Sequence, residues 1–314
     1  MADNDETLRI PLSRQTSISI KKGKDFPKCL RFDFRTPEWM KEAIAEFMGT
    51  FILMTFGLGS NAQVVLSQGT AGNYFSINIA WGMAVTMGVY WAGSVSGAHL
   101  NPAVTLGFAS VQRLPLWKVP IYITSQMLSS IMSSALVYAL YHDAIDHYDG
   151  GVRRVLGPNA TAKIFTTFPQ PFVSNMTGFW DQVFGTAMLV ALIFLLVDKK
   201  NSSKPSPELT PITIGFIVFL IGMTFGYNAA YPINPARDLG PRIFISMAGW
   251  GIEVFTAHNN YFWIPPVAGS LGGIAGAYLY VFTAEIPEIH HDPERINKID
   301  DKNNKDFAME RIQN

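Results

Sequence analysis

The sequence predicts an all-α membrane protein with six transmembrane helices and two half-helices, laid out as an inverted repeat. Three observations predict it. Six apolar runs are long enough to span a bilayer. The triplet Asn-Pro-Ala is written twice, each time ahead of an apolar run too short to span. The two halves share nearly one offset. The composition agrees: 48% of the 314 residues are hydrophobic and only 15% are charged, against about 25% charged in average soluble chains.

The charges gather at the two ends and in a few loops. A net charge of zero argues against nucleic acid as a partner. The single cysteine, Cys29, excludes an internal disulfide. The first 35 residues are polar and basic, without the apolar stretch of a cleavable signal peptide.

Taken in order, residues 1–37 read as a tail. The apolar runs 41–59, 74–94, 117–141, 178–197, 211–229 and 262–284 follow, and each meets the roughly 20 residues that a bilayer core of about 30 Å demands of a helix. Runs 101–111 and 234–248 are too short. Residues 286–314 alternate charges without an apolar period and read as a second tail. Lys and Arg set the orientation. Lys21, Lys22, Lys24, Lys28, Arg31 and Arg35 precede the first span, Arg113 and Lys118 follow the second, and Lys199, Lys200 and Lys204 follow the fourth, whereas loop 60–72 is uncharged. Both termini are therefore expected in the cytoplasm and loop 142–177 outside. Of three Asn-x-Ser/Thr sequons, Asn159 is the candidate for glycosylation; Asn175 sits too near the membrane and Asn201 on the wrong side.

"EFMGT" (Glu46 to Thr50) returns as "QVFGT" (Gln182 to Thr186), an offset of 182 − 46 = 136, and the two triplets lie 234 − 101 = 133 apart. Each half, about 38–141 and 178–285, thus holds three spans and one half-length segment. Three is odd, so the second copy enters the membrane inverted, the layout of transport folds with a midplane site.

Asn is a favoured helix N-cap and Pro a favoured first helical residue. Asn101-Pro102-Ala103 and Asn234-Pro235-Ala236 therefore read as the starts of two half-helices meeting near the bilayer centre. Each start carries roughly half a positive charge, a barrier to cations and protons. Each Asn oxygen caps its own helix and each amide nitrogen is expected to point into the lumen. The carbonyls of Gly97, Ala98, His99 and Leu100, and of Ala230, Pro232 and Ile233, are expected to line it, because non-helical backbone at that depth is tolerated beside water or inside protein. A file of acceptors facing apolar walls passes neutral molecules that both donate and accept hydrogen bonds.

Over roughly residues 38–285 the chain resembles the aquaporin superfamily, and most closely its glycerol-conducting branch, the aquaglyceroporins. The resemblance rests on "AEFMGTFILMTFGLGS", "SGAHLNPAVT", "NPARDLGPR" and "AGWG". It implies a passive channel for glycerol and water, with urea and other small neutral solutes, built as a homotetramer of independent pores in the cell membrane. It also implies an outer selectivity filter of Trp81, Gly222, Tyr231 and Arg237. The chemistry agrees: Arg237 presents a fork of donors suited to two vicinal hydroxyls, Trp81 and Tyr231 suit a carbon backbone, and Gly222 is expected to leave space where water-selective relatives carry His. Asp238, Arg242 and Pro265 resemble further markers of the branch; Asp238 and Arg242, four apart, are expected to pair and to stabilise their helix. Glu46 is expected to brace the first half-helix loop by accepting its N–H groups, since an intramembrane carboxylate needs a partner; Gln182 stands in the matching place. Pro266 and Gly269 depart from the family pattern.

No cofactor, metal or catalytic residue is expected. "EIHHDPE" (Glu288 to Glu294) reads as solvated tail, "RQTS" (Arg14 to Ser17) carries little weight as a phosphosite, and no Ser/His or paired Asp constellation shares a depth. A coupled transporter would need midplane carboxylates, and only Glu46 and Asp181 are present. His99 is expected to make a structural hydrogen bond rather than to gate by titration. Tyr231 stands where relatives carry a mercury-reactive Cys, so mercurial block is expected to be weak.

Overall fold

The computed structural model describes residues 36–285. The chain divides at Thr36/Pro37, and the fold is that of the second unit. Cys29 and the motifs at 14–17 and 288–294 lie outside the described residues. Among the described residues the elements are helical, with no strand.

The helices are α1 (Glu38–Leu66), α2 (Tyr74–Ser96), α3 (Pro102–Ser110), α4 (Val119–Asp149), α5 (Asn175–Val197), α6 (Thr210–Ala229), α7 (Pro235–Ile245), α8 (Glu253–Asn260) and α9 (Ile264–Tyr280). Local chemistry sets their ends. Asn73 and Ser76 form a reciprocal capping box at the start of α2, and Gly97, at φ 86°, ends it. Ser174 caps α5 by accepting from Thr177 N–H. Proline opens α4, α6 and α9 within their first two residues, where its missing N–H costs nothing.

Five helical stretches, Glu38–Leu66, Leu116–Asp149, Asn175–Val197, Thr210–Ala229 and Glu253–Glu285, are long and apolar enough to cross a membrane. The sixth expected span, α2, has the length but is not among these five. Large apolar side chains cover the outside. Phe56, Leu140, Trp180, Phe216 and Tyr227 are 61–72% exposed, a surface suited to lipid rather than water.

Three boundaries differ most from the sequence reading. α1 continues to Leu66, seven residues past the expected end, and takes in the first part of the expected loop 60–72. α4 continues to Asp149, eight residues past the expected end, so the loop between the halves narrows to 150–174. The second short segment stops as an α-helix at Ile245. It turns through Ser246–Trp250, where Gly249 adopts φ 115°, a conformation glycine enters without a Cβ penalty.

The repeat is visible in the packing. α1 lies against α2 and α4, as α5 lies against α6 and α9. The half-helices cross over, α3 onto α9 and α7 onto α4. The matching interfaces use matching positions with different chemistry. Ser129 and Ser133 of α4 donate to the Phe47 and Phe51 carbonyls of α1, at 2.7 and 3.3 Å. Gly272 and Gly276 of α9 lie so close to the Val183 and Ala187 carbonyls of α5 that a Cβ at either would overlap them. The offsets are 183 − 47 = 187 − 51 = 136 and 272 − 129 = 276 − 133 = 143, so small residues hold both copies in register.

Candidate functional site

The half-helices start as the triplets predict. Asn101 and Asn234 are extended; the Asn101 oxygen accepts from Ala103 N–H at 2.8 Å, and the Asn234 oxygen from the N–H groups of Ala236 and Arg237 at 3.0 and 3.3 Å. The amide nitrogens depart from the expectation. Asn101 Nδ2 donates to the Ile233 carbonyl and Asn234 Nδ2 to the Leu100 carbonyl, each at 2.9 Å. One N–H of each amide thus ties the two loops together, and a second remains for the lumen. Leu100 and Ile233, expected to be free acceptors, already hold one hydrogen bond each.

The two loops repeat in backbone detail. Gly97, Ala98 and Leu100 have φ of 86°, 52° and 53°; Ala230, Tyr231 and Ile233 have 56°, 38° and 33°. His99 and Pro232, at matching places, stay out of the left-handed region. Non-glycine residues there are strained, by about 1–2 kcal/mol each, and persist where surrounding contacts over-determine them.

Those contacts come from Glu46 and Gln182. Buried Glu46 accepts from His99 N–H at 2.8 Å and Leu100 N–H at 2.7 Å, and also from Ser96 Oγ and Gln126 Nε2. Gln182 Oε1 accepts from Ile233 N–H at 3.2 Å, while its Nε2 donates to Asp181, which also accepts from Asn228. His99 Nδ1 lies 3.2 Å from Thr105 Oγ1, and its ring packs on Phe108 and Tyr122.

A cavity of about 400 Å³ runs beside both loops and both asparagines. All seven expected carbonyl residues line it, opposite Leu53, Val85, Val89, Leu189 and Ile214. Toward loop 150–174 it meets Trp81, Tyr231 and Arg237. The Arg237 guanidinium lies 4.5 Å from the Trp81 ring centroid and donates to the Phe165 carbonyl at 2.8 Å. The Tyr231 hydroxyl is out of solvent contact and unpartnered among the described residues, so Tyr231 gives the wall a ring and no polar group. Gly222 corrects the expectation of open space. It is not part of the cavity wall, because the Tyr231 ring and Asn78 Oδ1 stand where a Cβ would go.

Asp238 and Arg242 pair at 2.9–3.1 Å and are fully buried, off the cavity. Asp238 also accepts from Thr166 Oγ1, Thr167 N–H and Thr167 Oγ1, and Arg242 donates to the Thr167 and Val254 carbonyls. The pair fastens loop 150–174 over the mouth. Pro265 lies buried in the first turn of α9, away from the cavity. Asn159 occupies an exposed turn. Sequence reasoning missed Asn61, Thr166 and Thr167, which line the cavity; Asn61 fell in the expected loop 60–72, and only the longer α1 brings it to the wall.

The profile of the major intrinsic protein family, described as "Major intrinsic protein", matches residues 33–280.

The chain belongs to the major intrinsic protein family.

Within that family it is 47% identical over 288 residues to aquaporin-10 of Milnesium tardigradum, covering 87% of this chain and 70% of the relative. It is 44% identical over 254 residues to aquaporin-10 of Homo sapiens, covering 81% and 83%. The crystal structure of the aquaglyceroporin from Plasmodium falciparum superposes with a TM-score of 0.72 at 31% identity, covering 81% of this chain and all of that one.

Proposed function

We infer that this family member is an aquaglyceroporin, a passive channel that conducts glycerol and water, with urea and other small neutral solutes, and excludes ions and protons. The observation that carries the reading is the half-apolar constriction, with Arg237 over the Trp81 ring and the Tyr231 ring forming the wall beside it. A polyol lays its carbons on the rings and its hydroxyls on the guanidinium and then on the loop carbonyls. The positive ends of α3 and α7 and the charge of Arg237 repel cations. Glu46 and Asp181, the carboxylates a coupled transporter would use, are engaged off the cavity, Glu46 by the N–H groups of the first loop and Asp181 by Gln182 and Asn228.

The filter role falls to Trp81, Tyr231 and Arg237, with Gly222 making room for the Tyr231 ring. The assembly is a homotetramer of independent pores in the cell membrane, both termini cytoplasmic, with Asn159 the glycosylation acceptor. Stopped-flow light scattering on reconstituted vesicles tests the transport reading. Glycerol and water permeability both rise well above protein-free vesicles while ionic conductance stays at background. Glycerol entry equal to that of empty vesicles overturns it.

A further inference from the structure

Asn61, on α1, is buried and lines the cavity, with both ends of its amide in use. Its Oδ1 accepts from the Trp81 indole Nε1 at 3.2 Å, and its Nδ2 donates to the Ile164 carbonyl at 3.0 Å. The next carbonyl along, that of Phe165, accepts from Arg237, and Arg237 lies over Trp81. These contacts close on themselves: Asn61 to Trp81, Trp81 to Arg237, Arg237 to Phe165, and Ile164 back to Asn61.

The geometry points to Asn61 as a positioning residue that sets the width and polarity of the outer constriction. The inference rests on the channel reading above. Two physical arguments support it. A buried indole N–H seeks a partner. With Asn61 holding it, Trp81 turns only apolar ring to the lumen and leaves the donating to Arg237. The loop carbonyls are also fixed in direction. Ile164 ends the 3-10 turn Ala162–Ile164, whose own bonds, Ile164 N–H to Thr161 and Phe165 N–H to Ala162, leave both carbonyls free to face α1 and α7. Gly57, one turn before Asn61 on the same face of α1, supplies the flat floor: a Cβ there would overlap the Trp81 ring. Glycine and asparagine together hold the indole, one by contact and one by a hydrogen bond.

The test is a double-mutant cycle in reconstituted vesicles, using Asn61→Leu, Trp81→Phe and both, read as the ratio of glycerol to ribitol permeability. Trp81→Phe keeps a six-membered ring under Arg237 and removes the N–H together with the five-membered part of the indole. Each single substitution lowers the ratio about tenfold, the order expected for one buried hydrogen bond. The effects in the double substitution combine to less than their product, because the Asn61–Trp81 bond is lost in either single; Asn61→Leu also frees the Ile164 carbonyl, and Trp81→Phe also trims the ring. Should Asn61→Leu fail to assemble, Asn61→Ser takes its place in the cycle, because Trp81→Phe alone changes the filter ring itself. An unchanged ratio in either single variant, or effects that multiply in the double, overturns the proposal. Wild-type glycerol permeability at the level of empty vesicles sinks the channel reading instead, so the two failures are distinct.

Discussion

Pro232 has no amide hydrogen, and that explains a difference between the two halves at the residue scale. In the first loop His99 and Leu100 each present an N–H, and Glu46 meets them with two oxygens. In the second loop the matching residues are Pro232 and Ile233, so one N–H remains and the single amide oxygen of Gln182 suffices. The Gln182 nitrogen then satisfies Asp181. Gln182→Glu would add an oxygen with no donor to receive and set a second carboxylate against Asp181. A buried polar group left unpaired costs about 1–3 kcal/mol, and the variant is expected to melt lower in detergent by that order. An unchanged melting temperature would show that the Gln182 amide nitrogen is not needed beside Asp181.

At the scale of elements, the same contact is made in two ways. α4 meets α1 through serine hydroxyls, and α9 meets α5 through glycine backbone. The consequences of substitution differ accordingly. Ser129→Ala removes one interhelical hydrogen bond and keeps the spacing, a loss averaging about 0.6 kcal/mol within membranes. Gly272→Ala inserts a methyl against the Val183 carbonyl and forces α5 and α9 apart, an overpacking cost of about 1–3 kcal/mol. Thermal unfolding of the two purified variants checks the order; Ser129→Ala as the more damaging change would reject this account. The spans, the half-helices and their offset were legible because a bilayer imposes length and apolarity on sequence, and because Asn-Pro is a local helix start. The polar outer turns of α4 carried no such mark, since Tyr148 and Asp149 look like loop until their helix is seen. Nor did Gly222 reveal what fills its space, because that depends on where Tyr231, nine residues on, folds back. Asn61 and the carbonyls of Ile164 and Phe165 lie about 100 residues apart, and no local pattern links them.

For the whole molecule, the decisive feature is that each half completes the other. α3 is held by α9 and α7 by α4, and each half-helix cap donates to the opposite loop. The positive ends of α3 and α7 are therefore locked together, roughly half a charge each, with Arg237 adding a full charge nearby. Asp238 does not cancel it, because Asp238 is paired with Arg242, and among the described residues no carboxylate forms an ion pair with Arg237. The potentials from the joint and from Arg237 superpose in a low-dielectric channel, where unit charges a few ångströms apart interact by about 1–4 kcal/mol even at generous screening. Arg237→Ala is expected to let a small cation current appear in reconstituted vesicles. Adding Asn101→Asp, which places an anion between the two helix starts, raises that current by a further order of magnitude or more. A pH-sensitive dye and a sodium flux assay read the two cations. If Arg237→Ala stayed silent and Asn101→Asp alone conducted, the barrier would lie wholly at the joint. If Asn101→Asp added nothing, the helix ends would play no part in it.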